Sequence, residues 1–409
     1  MSFISTYSSL SSRGWQSAAG GQQFYSQIDS QFGPNNQSLG YRGDISEYQS
    51  NIAGNFNLCV TSSEFQNNSN PARIYTTEFN GIKQTFTGAN SGGIFGPFPG
   101  ITFGSNVTIS GDGKYIAATG NTNASLDQAN LIIYSADANY NFTLQTSILS
   151  PLANTDYYRP NDINYDGSLV ALNARGANVI HIYSRSGNTW SLGTSLTPNV
   201  GNIPLSGGFG DSISYSNNNT LAVGDAGASG PGSVFIFVAN TQVARIFPSV
   251  SSNDDSFGDS CAISSDGNYL VVGAFGPGPG NAYVFGNVAN TWSELAILTP
   301  TSSTLTNQGF GRTVAISNNG NTVAIGDQDA INVSSNVQQG AVYVFSKDDA
   351  NNYIQDQEIL NPVGNVSIIG SFGHGLAMTQ NGKRMIVGDP QRKSGNINTG
   401  ALYLFQSFT

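Results

Sequence analysis

The stretch GFGRTVAISNNGNTVAIGD, Gly309 to Asp327, rewrites SFGDSCAISSDGNYLVVGA, Ser256 to Ala274. A recurring unit constrains a fold more than any single motif, because each copy must bury its apolar face against its neighbours. Aligned on the Phe-Gly pair, the unit starts again at Phe103-Gly104, Phe209-Gly210, Phe257-Gly258, Phe310-Gly311 and Phe372-Gly373. Degenerate copies read RPNDINYDGSLVALNARG, Arg159 to Gly176, and ISEYQSNIAGNFNLCVTSS, Ile45 to Ser63. The count that follows is seven, with starts near 45, 103, 157, 209, 257, 310 and 372.

Each unit carries four short strand signals. In the sixth they are Arg312–Ser317, Thr322–Asp327, Ala341–Ser346 and Tyr353–Leu360. Asp-Gly at Asp112, Asp166 and Asp266, and Asn-Gly at Asn319 and Asn381, join the first two strands. These dipeptides mark hairpins, since both turn residues need positive φ. Runs such as VFIF and VYVF suit sheets covered on both faces. Four-stranded antiparallel units in this number predict an all-β fold, a seven-bladed β-propeller of four-stranded antiparallel blades. The last unit stops after its third strand, ALYLFQSF, so its outer strand is expected from residues 22–31, closing the ring with an N-terminal strand. Residues 22–409 then form a single propeller and residues 1–21 an N-terminal extension.

The pattern FG-x-S-x-A-I-S-x-D-G-x-x-L-A-V-G…G-A-V-Y-V-F…W resembles the FG-GAP repeat of integrin-α-type seven-bladed propellers. The likeness is closest in blades four to seven, fair in blade two and poor in blades one and three. The resemblance implies a fold; its members range over adhesion receptors, lectin-like modules, virion proteins and some hydrolases. It also implies Ca²⁺ sites in D-x-D-x-D-G-x-x-D hairpins. Here the hairpins read GDGK, NYDGS, SNNNT, SSDGN, SNNGN and TQNGK. Each offers at most one carboxylate, whereas Ca²⁺ takes six to eight oxygens. No metal and no cofactor are expected.

Charge narrows the partners. With Lys and Arg totalling 15 and a net charge of −10, the chain is a poor match for a phosphate backbone or an anionic membrane surface. No apolar run is long enough to span a bilayer. The opening MSFISTYSSLSSRGWQSAAGG lacks a basic n-region and an apolar h-region. Synthesis in a cytoplasm without a signal peptide is expected, with no nucleic-acid partner and no membrane insertion.

The residue after each Phe-Gly is polar: Ser46, Ser105, Arg159, Asp211, Asp259, Arg312 and His374. Two positions on come Tyr48, Val107, Asn161, Ile213, Cys261, Val314 and Leu376, which period two places on the same strand face. Since first strands line a propeller's channel, Arg159, Asp211, Asp259, Arg312 and His374 are expected to ring one mouth, as register-fixing pairs or as a docking ring. Arg42-Gly43-Asp44, the tripeptide that integrins recognise, is expected in the loop entering blade one: a chance turn sequence or an adhesive element. Long polar loops at 61–72, 121–130, 328–339 and 390–399 vary on one rim, and such variation marks binding faces. Trp190 and Trp292 share one blade position and are expected between blades.

Catalytic signals are few. His181 sits in an apolar strand, VIHIY; Cys59 and Cys261 fall in different blades; no G-x-S-x-G elbow has a histidine partner. No catalytic residue is assigned. The sequence therefore points to a non-enzymatic structural or host-attachment component of an extracellular assembly, a virion or phage particle. Expected partners are other virion or surface-assembly proteins and a host-surface protein or glycan. A carbohydrate-binding lectin or adhesin is the alternative, and a propeller hydrolase or lyase with a channel-mouth site a second.

Overall fold

A computed structural model of the chain describes residues 25–32, 38–49, 57–64, 73–77, 82–86, 103–121, 129–149, 151, 161–174, 177–227, 230, 232–250, 256–276, 279–302, 305–306, 309–362, 370–391, 393–394, 397–398 and 400–407. Among these, secondary structure is almost wholly strand, and no helix is long and apolar enough to cross a membrane.

The strands pair into four-stranded antiparallel sheets that follow the chain. The first strands of successive sheets are Ser38–Gln49, Phe103–Ile109, Asn161–Ile163, Phe209–Tyr215, Ser260–Ile263, Thr313–Ile316 and Gly375–Met378. Each of these is followed in hydrogen-bonded order by the next strands of its own sheet. We name each sheet by its span: 38–86, 103–149, 161–196, 209–246, 260–298 and 313–360. In the closing sheet, Gly375–Met378, Arg384–Asp389 and Ala401–Ser407 are completed by Tyr25–Phe32, antiparallel to the last, from Tyr25↔Ser407 to Phe32↔Ala401. A bulge interrupts that register between Gln27 and Asp29.

Local chemistry explains the hairpins between first and second strands. Ser264 Oγ donates to Asp266 Oδ1 at 2.5 Å, and that same oxygen accepts the Asn268 N–H at 2.9 Å. The Tyr269 N–H closes the turn on Ser264 Oγ. Ser110 with Asp112, Ser317 with Asn319, and Thr379 with Asn381 repeat the arrangement. A short side chain that bonds its own backbone two residues on is what reserves Asp and Asn for this position.

The apolar core lies between sheets. Ala222, Val234 and Ile236 of 209–246 pack on Leu270, Val272 and Tyr283 of 260–298; Val271, Ala282 and Val284 in turn pack on Val323, Ile325 and Tyr343. Both faces of the middle strands are thus covered, and Leu221–Asp225 and Thr322–Asp327 are buried throughout. Ile45 and Cys59 pack against Ile386, Leu402 and Leu404 of the closing sheet, while Leu58, Val60 and Ile74 pack against Val107, Ile116 and Ile132. Each fully buried aliphatic side chain contributes about 1.5–3 kcal/mol. The fold is an all-β propeller of four-stranded antiparallel blades.

Candidate functional site: a channel and its two mouths

First strands enter the channel wall at the Phe-Gly pair and leave it at the Asp-Gly or Asn-Gly turn. At the Phe-Gly end the sequence builds one turn repeatedly. The N–H groups of Asp211, Asp259, Arg312 and His374 donate to the carbonyls of Gly208, Ser256, Gly309 and Ser371, closing turns with Phe-Gly at their centre. Gly210, Gly258, Gly311 and Gly373 hold φ of 91°, 97°, 94° and 96°, as the third residue of a type II turn requires. The phenylalanines Phe209, Phe257, Phe310 and Phe372 have no solvent exposure and stack edge-on upon third-strand aromatics, for example Phe257 on Tyr283 at 5.3 Å and Phe310 on Tyr343 at 5.4 Å.

This turn is also the joint between blades. Ser212 Oγ donates to the Gly258 carbonyl, Ser260 Oγ to that of Gly311 and Thr313 Oγ1 to that of Gly373, each at 2.7 Å. The receiving glycine lies against a second glycine at the end of the preceding blade's second strand: a Cβ on Gly224, Gly273 or Gly326 would collide with the carbonyl of Gly258, Gly311 or Gly373. The Ser or Thr two residues after the glycine, and the glycine before the second-strand terminus, are therefore read by the neighbouring blade.

Sequence reasoning overlooked a third element of the joint. Asp225, Asp327 and Asp389 end second strands and are wholly buried. Asp225 accepts the N–H groups of Ser206 and Gly208 at 2.9 and 3.0 Å; Asp327 accepts that of Gly309, and Asp389 that of Ser371. Arg245 lies 3.7 Å from Asp225, and Asn361 donates to Asp389 at 2.9 Å. A buried carboxylate needs such donors. The signal was present as the recurrent Gly-Asp that closes the second strand.

Of the residues expected to ring this mouth, Asp211, Asp259, Arg312 and His374 lie at the Phe-Gly turns and are half-buried. The Arg312 guanidinium lies 4.3 Å over the ring of Phe275 in the preceding blade. Arg159 falls outside the described residues. The tripeptide Arg42-Gly43-Asp44, expected in a loop, lies instead within strand Ser38–Gln49, its residues opposite Ser62, Thr61 and Val60. The register shift just before it, between Leu39 and Arg42, places a bulge at Gly40-Tyr41, and the tripeptide itself is in regular register.

At the other mouth the inner strands line an open, polar cavity of about 300 Å³. Gly111, Tyr165, Asn217, Ser265 and Gln380 line its turn end, and none of the Phe-Gly residues borders it. Asn217 and Gln380 exchange hydrogen bonds, Nδ2 to Oε1 at 3.1 Å and Nε2 to Oδ1 at 3.0 Å, joining turns of the 209–246 and closing sheets. Deeper in, Asp162 ties three blades together. Its Oδ1 accepts from Thr108 Oγ1 at 3.2 Å and its Oδ2 from the Tyr215 N–H at 2.7 Å. In the following blade Ser214 makes the equivalent link, accepting the Ile263 N–H. Burial, with the Asp162 charge adding to it, raises the Tyr215 hydroxyl well above its ordinary value. The Cys261 thiol is pushed up to about 12, by burial first and by Asp162 as well, against a lowering hydrogen bond from Ser212.

Among the described residues no three His, Cys, Asp or Glu side chains come together as a metal site. The carboxylate oxygens of Asp112, Asp166 and Asp266 face their own turn N–H groups. His181 is buried, its Nδ1 2.8 Å from Ser195 Oγ. Trp190 is buried between the 103–149 and 161–196 sheets, its Nε1 donating to Gln145 Oε1 at 3.1 Å. Trp292 packs half-buried between the next pair but one.

The FG-GAP repeat family matches residues 240–285 and 292–345, which hold two of the Phe-Gly turns just described, at Phe257 and Phe310, and the joint between them. Residues 240–285 and 292–345 are thus similar to FG-GAP repeats. No curated protein matches the chain. Among solved structures, that of U3-55K matches at a TM-score of 0.60 and 13% identity, covering 92% of this chain and 98% of that one. The RRP9 WD40 repeats match at 0.59 and 12%, covering 94% and 100%. At such identities the likeness is one of fold alone. Within the matched residues the glycine of Phe310-Gly311 and the glycine that precedes the second-strand end, Gly273, join one blade to the next.

Proposed function

We propose that this protein is a non-enzymatic, seven-bladed propeller that serves as a structural or host-attachment component of an extracellular assembly, a virion or phage particle. The 38–86 sheet counts as a blade in this reading because it packs on both the 103–149 and the closing sheets. The strand Tyr25–Phe32 ties the ring shut. Synthesis in a cytoplasm, recruitment by other particle proteins and contact with a host-surface protein or glycan complete the proposal.

One observation carries it: the two rims are built to different ends. On the rim of Asp-Gly and Asn-Gly turns the polar side chains are spent within the rim, on their own turn backbone or on a neighbouring turn, as Ser264 and Asp266 are in one turn and Asn217 with Gln380 between two. On the opposite rim, residues 328–339 extend into a hairpin, Ile331–Asn332 with Val337–Gln338, and Leu305–Thr306 adds to its edge as a small third strand. Val333 at its tip is 60% exposed. In the closing sheet, Lys393–Ser394 pairs with Ile397–Asn398 on the same rim. Elements built beyond what the blade needs are the natural carriers of partner contact.

Replacing residues 328–339 with a short Gly-Asn turn tests this. The ring should stay folded by circular dichroism, and the variant should sediment free of the particle in which the intact chain is found. Retained incorporation, or an intact chain that never sediments with a particle, overturns the reading.

A further inference from the structure

The cavity at the turn-side mouth is not used by the function proposed above, and it has a definite chemistry. Its wall is made of inner strands, with small or apolar side chains such as Val314, Ala315 and Leu376 around most of the ring. Among the residues that line it, one carries a formal charge, Asp162. The carboxylate is positioned by hydrogen bonds from Thr108 and Tyr215 of the flanking blades and from the Ile163 N–H of its own strand, so it is fixed in place. Tyr215 and Cys261, both close enough to feel it, are held neutral by burial. The wall thus presents a single negative charge with hydroxyls from Thr108 and Ser214 on the same lining.

Access has its own device. The reciprocal amide pair Asn217–Gln380 spans the turn-side mouth, linking turns 163 residues apart. Both side chains are at the surface end of the cavity, and Gln380 is further set by its carbonyl, which accepts the Asn318 N–H at 2.6 Å. Parting the pair requires rotation of side chains only, which exposed groups make in picoseconds to nanoseconds.

We infer that the channel cavity is a binding site for a small organic ammonium ion, held by Asp162 and admitted past the Asn217–Gln380 pair. An ammonium group supplies three donors and one positive charge, which complements a fixed carboxylate flanked by hydroxyl acceptors. Charge-assisted bonds of this kind are about twice as strong as neutral ones. A net charge of −10 draws cations toward a cleft lined by the same sign. The volume is at the lower end of the range for ligand sites, about 300–1,000 Å³, so the ligand is small.

Ethanolamine, ethylene glycol and glycolate are the probes, each titrated calorimetrically into the intact protein at constant ionic strength set with KCl. Ethanolamine should bind saturably and the glycol and the acid should not. Asp162→Asn keeps an oxygen for the Tyr215 N–H, and it should weaken ethanolamine about tenfold or more. Should that variant fail to fold, Ala262→Leu fills the cavity from its half-buried wall and should weaken binding likewise. Equal binding of ethylene glycol, ethanolamine binding indifferent to both wall variants, or no binding of ethanolamine overturns the inference.

Discussion

Replacing Gly311 with alanine and Gly187 with alanine separates two reasons for which a chain keeps glycine. Both have positive φ, 94° and 58°. A methyl group on Gly187 meets nothing within 4 Å, so its cost is conformational alone, about 1–2 kcal/mol for an L-residue on that side of the map. On Gly311 the same methyl collides with the carbonyl oxygen of Asn281 and lies 3.0 Å from the Ala274 nitrogen. Both obstacles are backbone of the preceding blade, and neither can rotate away. Overpacking a rigid site adds about 1–3 kcal/mol, for a total of about 2–5 kcal/mol. The joint also holds the bond from Ser260 Oγ to the Gly311 carbonyl, so Ser260→Ala should cost about 1 kcal/mol. It should cost less in the Gly311→Ala background, since the carbonyl will already have moved. Urea unfolding with the m-value held in view gives each difference from the midpoint. If Gly187→Ala destabilises as much as Gly311→Ala, blade-to-blade approach is not what reserves the glycine, and the account of the joint fails.

Removing residues 1–31 should lower the thermal midpoint of the whole ring, because it strips the strand paired to Ala401–Ser407 and exposes a sheet edge, whereas removing 1–21 should leave it in place; equal midpoints would refute closure by that strand. EGTA should shift the midpoint by no more than about 1–2 °C, since bound Ca²⁺ would stabilise the fold through linkage; a large fall would show metal held by the turns. Burial holds the His181 imidazole below its ordinary 6.5, so as pH drops through that value the unfolded chain takes up its proton first and stability falls. His181→Gln should flatten the stability–pH curve below about 6.5, the unfolded value, and an unchanged slope would assign it elsewhere.

The propeller was legible because its signals are local. A Phe-Gly pair, an Asp-Gly turn and a run such as VYVF each announce their own turn or strand within a few residues, and repetition multiplied the signal. What lay beyond reading depends on neighbours distant in sequence. Gly224 looks like strand interior until the Gly258 carbonyl arrives from the next blade. Asp225 looks like a strand terminus until Ser206 and Gly208 turn their N–H groups to it. Arg42-Gly43-Asp44 looked like a turn because glycine between two charged residues commonly is one; pairing with Ser62, Thr61 and Val60 made it strand. The polar ring drew attention to the Phe-Gly mouth, whereas the cavity lies at the opposite one. Period two assigns faces but does not say which end of a channel is pinched, and a contact such as Asn217 with Gln380 leaves no trace in either segment alone.

The seam between Tyr25–Phe32 and Ala401–Ser407 also sets how the molecule bears load. Tyr25 lies opposite Ser407 at one end of the ladder and Phe32 opposite Ala401 at the other. A tension drawing residues 25 and 407 apart therefore falls on one rung at a time, and the seam opens like a zip at low force. A tension drawing residues 32 and 407 apart runs along the ladder and stretches its rungs together in shear. The same hydrogen bonds are weak under the first pull and strong under the second, so a tether at residue 25 offers an easy release and a grip near residue 32 does not.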